Sequence, residues 1–143
     1  VFLARLKAEK FTGELSDKDL LITADTVVLL DGEILGKPEG ENDARIMLKK
    51  ISGKEHQVIT GVCLTSSSKQ KTFHAVSNVK FKDLTDQEIN YYINHYKPFD
   101  KAGSYAIQEW IGYIGIIHIE GSFYNVMGLP VQKLYSEILS FNS

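Results

Sequence analysis

Eleven residues, Leu20 to Leu30, form an almost wholly apolar run with a single charge, Asp25, and stop at Asp31-Gly32 before a short return, Glu33 to Leu35. Asp-Gly between two apolar runs is a hairpin signal, because both residues tolerate the backbone conformations that a tight antiparallel turn demands. The chain is therefore expected to fold around hairpins, not around a strict alternation of parallel strands and crossover helices. Gln57 to Thr65 and Thr72 to Phe81, joined through the polar stretch Ser66 to Lys71, read as a second, longer antiparallel pair that bends or extends beyond the main body.

Helices separate these strands. Val1 to Ala8 reads as the middle of a helix with no capping residue before it, followed by a polar connection from Thr12 to Lys18. Glu41 to Ile51 places Ala44, Met47, Leu48 and Ile51 at i, i+3, i+4 and i+7, the period of a one-sided helix, and Ser52-Gly53 ends it. Thr85-Asp86-Gln87-Glu88 is a capping box. The helix it opens carries Ile89, Tyr92, Ile93 and Tyr96 on one face and is stopped by Pro98. A strand is expected near Tyr113 to Ile119, then a turn-rich stretch from Gly121 to Gly128. Pro130 starts a last helix with Val131, Leu134, Tyr135 and Ile138 inward. The fold class is α/β in the mixed, α+β sense, and residues 1–143 are expected to form a single domain.

Composition narrows the function classes. A 143-residue chain with 43% hydrophobic and 24% charged residues has the makeup of a globular domain with a sizeable core. Its net charge of -2 supplies no basic field for a nucleic-acid polymer or an acidic membrane surface. No apolar run approaches the ~20 residues that span a bilayer. Cys63, the one cysteine, falls within strand alternation and is expected in the core; a reducing cytoplasm is expected. The four histidines show neither i, i+4 pairing nor cysteine partners, so a zinc centre is not expected.

Asp25 and the lysines carry the chemistry. The apolar segment from Leu20 to Ala24 delivers a carboxylate to its end, and Lys37 follows twelve positions later within Gly36-Lys37-Pro38. A carboxylate that can hold a divalent cation, near an ammonium that can hold phosphate, is minimal equipment for work on a nucleotide. Lys37 and Lys101 each sit beside a glycine or proline, which fixes the backbone and lets the side chain be aimed. Asp100 adds a second acid. Gly32 to Pro38 is not a P-loop: its glycines are one residue too close, and Pro38 stands where a magnesium-binding hydroxyl belongs.

Five blocks, taken in order, resemble the Maf family of nucleoside triphosphate pyrophosphatases. They are Ala24-Asp25-Thr26-Val27-Val28, Gly36-Lys37-Pro38, Met47 to Val58, Asp100-Lys101-Ala102-Gly103-Ser104-Tyr105-Ala106-Ile107-Gln108 and Gly121 to Pro130. The resemblance implies a fold like the inosine triphosphatase group: a long, twisted mixed sheet flanked by helices, with a nucleotide cleft between two lobes. It implies cleavage between the α- and β-phosphates of a nucleotide, giving a monophosphate and pyrophosphate, with Mg²⁺ or Mn²⁺, in a cytoplasmic homodimer. Asp25 resembles the catalytic carboxylate, as base for the attacking water or as metal ligand, and Asp100 is expected beside it as a second metal ligand. Lys37 and Lys7 resemble the phosphate-binding lysines, and Lys101 is expected to join them on the substrate. Thr26 and Gln108 stand where members preferring dTTP and UTP carry Thr and Gln, so dTTP and UTP are the expected substrates, with CTP or modified pyrimidine nucleotides as further ones.

The family begins with a strand and a Ser-x-Ser-Pro-Arg-Arg loop that grips the triphosphate, and nothing like it precedes Val1. By that resemblance a parent protein is expected to carry roughly 45 further residues, about the size of a strand-helix-strand unit. The bare chain is then expected to be weak or inactive, because the two arginines would be its bidentate phosphate donors. The alternative to an enzyme is a non-catalytic nucleotide-binding or septum-formation-related interaction protein of the same fold.

Overall fold

The computed structural model describes residues 1–11 and 15–142. Of the polar connection expected from Thr12 to Lys18, residues 12–14 lie outside the described part. Helix α1 (Phe2–Glu9) leads to strand β1 (Leu21–Leu30), which turns into β2 (Glu33–Leu35). Helix α2 (Glu41–Ile51) precedes the long pair β3 (Glu55–Thr65) and β4 (Gln70–Phe81), and α3 (Asp86–Tyr96) follows. The chain then passes through a single 3-10 turn, Ala102–Ser104, into α4 (Trp110–Gly115), β5 (Ile116–Glu120), α5 (Phe123–Met127) and α6 (Val131–Phe141). The mixed α/β class is the one expected. The sheet, which the resemblance implied would be mixed, has the order β2-β1-β3-β4-β5, and among the described residues all four pairings are antiparallel. No helix among the described residues is long and apolar enough to cross a membrane.

Strand alternation explains which helix lies where. Successive side chains of a strand point to opposite faces, and β3 shows both sets. Val58 belongs to the main core with Val28, Leu48, Ile51, Val79, Phe81, Ile89, Tyr92 and Ile93, under α2 and α3. Val62 and Leu64, farther along the same face, meet Phe73 and the α6 residues Leu134 and Phe141 in a second cluster. Thr60, between Val58 and Val62, is fully buried yet polar, and it pairs in register with Thr26 of β1. That face therefore carries two oily patches with a polar gap between them. Cys63 points the other way, into a small cluster with Ala4, Ala8 and Leu21 beneath α1.

β2 pairs only with Val28, Leu29 and Leu30. The β1 edge from Leu21 to Val27 has no strand beside it among the described residues.

Several local expectations need correction. Asp25 stands mid-strand, not at a strand end, because β1 continues to Leu30. The strand expected from Tyr113 begins only at Ile116, and Trp110–Gly115 is helical. Its aromatic and branched residues favour a strand in isolation, but Ile111 is fully buried and Gly115 sits against the Phe81 ring, contacts that a helical turn satisfies. In α6, Val131 and Tyr135 are exposed, because the second cluster is met by Leu134, Ile138 and Phe141 at i, i+4 and i+7. Tyr96, at the end of α3, is likewise exposed and stacks on Tyr92. The Gly121–Gly128 stretch contains the short helix α5, capped by Ser122, whose Oγ accepts the Asn125 N–H at 3.2 Å.

Candidate functional site

The site begins with two alanines. Ala4 and Ala8, at i and i+4, are the buried residues of α1, and their small side chains let the helix lie close upon β1 and β3. The hydroxyl of Thr23 donates to the Ala4 carbonyl at 2.6 Å, fixing the helix along the strand. Lys7 is thereby held over β1. Its ammonium donates to the Ala24 carbonyl at 2.9 Å and to Asp25 Oδ1 at 3.1 Å. The lysine side chain is 51% exposed, and pairs so wetted contribute at most about 1 kcal/mol to stability. The pair is better understood as an arrangement of charge than as a brace.

A second lysine arrives on the Gly36-Lys37-Pro38 turn, which is tied to the segment bearing the third. The Gly103 N–H donates to the Gly36 carbonyl at 3.1 Å. Gly103 adopts φ 71°, and a Cβ there would stand 3.0 Å from a Val28 methyl, so a side chain would be strained in both respects. Lys101 lies two residues earlier, its ammonium 3.3 Å from Asp100 Oδ2. Residues 103–107 are buried, and Gln108 is the first exposed residue after them.

The polar gap in the sheet forms the floor. Thr26 Oγ1 and Thr60 Oγ1 share a hydrogen bond of 2.9 Å, and Thr26 Oγ1 also donates to the Gly128 carbonyl at 3.4 Å. Asn125, fully buried, sends its amide into the sheet, donating to the carbonyls of Val58 and Ala75 at 3.2 Å each and to Ser77 Oγ at 3.0 Å. These bonds bolt α5 down, so that Val126, Met127 and Gly128 form a wall.

Together these parts enclose a hollow of about 280 Å³, lined by Lys7, Asp25, Thr26, Lys37, Asp100, Lys101, Tyr105, Gln108, Val126, Met127 and Gly128 among others. That is near the lower end of the roughly 300–1,000 Å³ usual for small-molecule sites. Residues from both faces of β1 take part, so the hollow straddles the open edge of that strand. All seven residues singled out in the sequence line it. Tyr105, Val126, Met127 and Gly128, which their residue types alone do not single out as wall residues, line it as well. Tyr105 hydrogen-bonds His56 Nε2 through its hydroxyl at 2.6 Å, and burial pushes its pKa above the ordinary value.

No group of three or more metal-ligating side chains occurs among the described residues. The two carboxylates at the hollow, Asp25 and Asp100, still suit a magnesium-type ion, which commonly takes one or two protein carboxylates and completes its shell with substrate phosphates and water.

The sequence pattern described as "Maf-like protein" matches residues 1–141. The chain belongs to the Maf family. A relative from Phocaeicola vulgatus named dTTP/UTP pyrophosphatase is 58% identical over 138 residues, covering 96% of this chain and 72% of that protein. Relatives of the same name from Bacteroides thetaiotaomicron, 56% identical over 96% of this chain and 71% of theirs, and from Porphyromonas gingivalis, 55% identical over 99% and 72%, agree. Four of the Maf blocks contribute directly to the hollow: the β1 acid, the Lys37 turn, the Asp100–Gln108 segment and the Gly121–Pro130 stretch. The remaining one, Met47 to Val58, supplies core residues from α2 together with His56, the partner of Tyr105, and reaches the hollow through Val58.

Proposed function

We propose that this Maf protein hydrolyses dTTP and UTP, with CTP or modified pyrimidine nucleotides as further substrates, to the monophosphate and pyrophosphate. The observation that carries the reading is the convergence of Lys7, Lys37 and Lys101 on one hollow with Asp25 among them and Gln108 on its wall. Three ammonium groups drawn from three separate elements suit a chain of phosphates, whose charge is spread over many oxygens. The relatives' name, dTTP/UTP pyrophosphatase, supports the same chemistry.

Water attacks the α-phosphorus, the bond from that phosphorus to the bridging oxygen of the β-phosphate breaks, and pyrophosphate leaves with the bridging oxygen. The attacking water gives up its proton. Lys7 engages Oδ1 of Asp25, so the second carboxylate oxygen can take that proton or hold a metal ion. Lys37 and Lys101 neutralise charge on the phosphates. A divalent ion such as Mg²⁺ or Mn²⁺, held by Asp25 and Asp100 with the substrate, would supply further charge neutralisation. At the other end Gln108 offers the base edge an amide donor and a carbonyl acceptor, while Thr26 narrows the floor below it.

The test is pyrophosphate release from dTTP and UTP, with nucleotide affinity measured in parallel, on protein that carries the N-terminal Ser-x-Ser-Pro-Arg-Arg loop expected by resemblance to the family. Asp25→Asn is expected to lower kcat by about 10²–10⁴-fold, the usual share of a general base, with nucleotide still bound. Equal pyrophosphate release by both proteins would remove Asp25 from the reaction. Binding without turnover in either protein would favour a nucleotide-binding protein over an enzyme.

A further inference from the structure

Gln108 lines the hollow, but bonds that shape its turn come from behind. Tyr92 lies within α3, fully buried. Its hydroxyl oxygen accepts the Ala106 backbone N–H at 3.1 Å, and its proton goes to Glu109 Oε1 at 2.6 Å, the range of a hydroxyl bonded to a carboxylate. Those two partners bracket Ile107 and Gln108. The Glu109 N–H returns to the Ala106 carbonyl at 3.1 Å, closing a four-residue turn whose two ends are both tied to one phenol.

Two other contacts press on the same turn. Gly112 in α4 comes so near that a Cβ there would stand 1.8 Å from the Ile107 carbonyl oxygen, which belongs to the peptide joining Ile107 to Gln108. Ile107 itself is buried in the main core. The backbone on both sides of Gln108 is thus fixed while its side chain is left exposed. Burial, and then Glu109, raise the Tyr92 pKa above its ordinary value, so the phenol keeps its proton at any working pH.

We infer that Tyr92, acting through Glu109 and the Ala106 amide, is a positioning residue for Gln108 and governs how well the site grips the base of a nucleotide without touching it. The inference rests on Gln108 being the base contact. Its physical content is pre-organisation: an amide already held in place loses little conformational freedom on binding, whereas one on a loosened turn must be ordered each time. The effect is expected at the base end, since Lys7, Lys37 and Asp25 stand on α1, the Gly36 turn and β1, and Lys101, although on the same segment as Gln108, is separated from its turn by the Gly103–Gly36 hydrogen bond.

The experiment measures Kd by titration calorimetry for two probes, α,β-imido-dTTP, which has a base, and inorganic triphosphate, which has none. Tyr92→Phe keeps the ring and removes the hydroxyl. It is expected to weaken the imido-nucleotide by about tenfold, the scale of one lost hydrogen bond involving a charged group, and to leave triphosphate within about twofold. Glu109→Ala, at a partly exposed position and so less demanding of the fold, is expected to shift the same probe in the same direction. Adding Tyr92→Phe to Gln108→Ala is expected to cost nothing further. Equal weakening of both probes, or of neither, in Tyr92→Phe and Glu109→Ala while Gln108→Ala still weakens the nucleotide would overturn the positioning role alone. An unchanged nucleotide Kd in Gln108→Ala would remove the base contact itself, and the inference with it.

Discussion

Replacing one atom at Gln108 isolates what its amide does. The 4-carbonyl and N3–H of thymine or uracil present an acceptor and a donor side by side, and a primary amide matches them with one of each; a carboxylate offers acceptors only. Gln108→Glu is therefore expected to lower kcat/KM for dTTP and UTP by about tenfold or more relative to a purine triphosphate, since an unmatched acceptor at the base edge costs more than a missing bond. Kinetics on a panel of nucleotides check this, and an unaltered ranking would sever Gln108 from base choice. Asp25, Lys37, Lys101 and Gln108 were legible because each stands beside a glycine or proline or within a recognisable block, so sequence distance said something about aim. Tyr92 and Asn125 were not legible as supports of the site. Their bonds go to backbone groups 14 and 67 positions away, and such partners leave no mark in residue type.

At the level of elements, α3 offers the clearest agreement between local code and structure. Thr85 Oγ1 accepts the Glu88 N–H at 3.1 Å while the Glu88 carboxylate accepts the Thr85 N–H at 2.9 Å. Lys82 adds bonds of 2.7 and 3.0 Å to the same carboxylate. The Lys82 ammonium foremost, and the Thr85 N–H next, hold Glu88 below its usual 4.5. Thr85→Ala is expected to cost about 1 kcal/mol and to lower Tm by about 3 °C for a domain of this size. Because Tyr92 lies nearly two turns further on, affinity for nucleotide is expected to hold. Calorimetric melting with parallel titration checks both, and a loss of affinity equal to that of Tyr92→Phe would show that the helix acts as one unit. Helices with a cap and a periodic face could be read from sequence, and so could the Asp31-Gly32 hairpin. Trp110–Gly115 could not: two glycines, one against the Ile107 carbonyl and one against Phe81, make helical packing possible there, and those neighbours are supplied by the folded chain.

The main core has one titrating weak point, and it gives the whole molecule a pH dependence. His56 is 1% exposed, stacked 5.8 Å from Phe81 and edge-on at 5.4 Å to Tyr105, in the layer that joins β3 and β4 to the segment carrying Lys101 and Gln108. Burial there disfavours the imidazolium and lowers its pKa from 6.5 to about 4. Between those values the unfolded chain binds a proton that the folded chain refuses, so stability falls as pH falls. Above 6.5 both states are neutral and the histidine adds no slope; below about 4 both are charged and the loss is complete, about 3 kcal/mol in all. Glu88 acts in the same direction but lower, as pH drops through its depressed pKa, so the window above pH 5 belongs largely to the histidine among these two. From pH 6.5 to 5 the protein is expected to lose about 2 kcal/mol against urea. His56→Gln, which keeps a hydrogen-bonding group near Tyr105 but cannot titrate, is expected to be less stable at pH 7.5 yet nearly flat across that interval. Urea melts of both proteins at pH 7.5, 6.5 and 5 decide it: an equal slope in the variant would mean that the acid sensitivity arises elsewhere. A reduced slope would tie acid unfolding to the core beneath Tyr105, so that the wall carrying Gln108 and the centre of the fold would give way together.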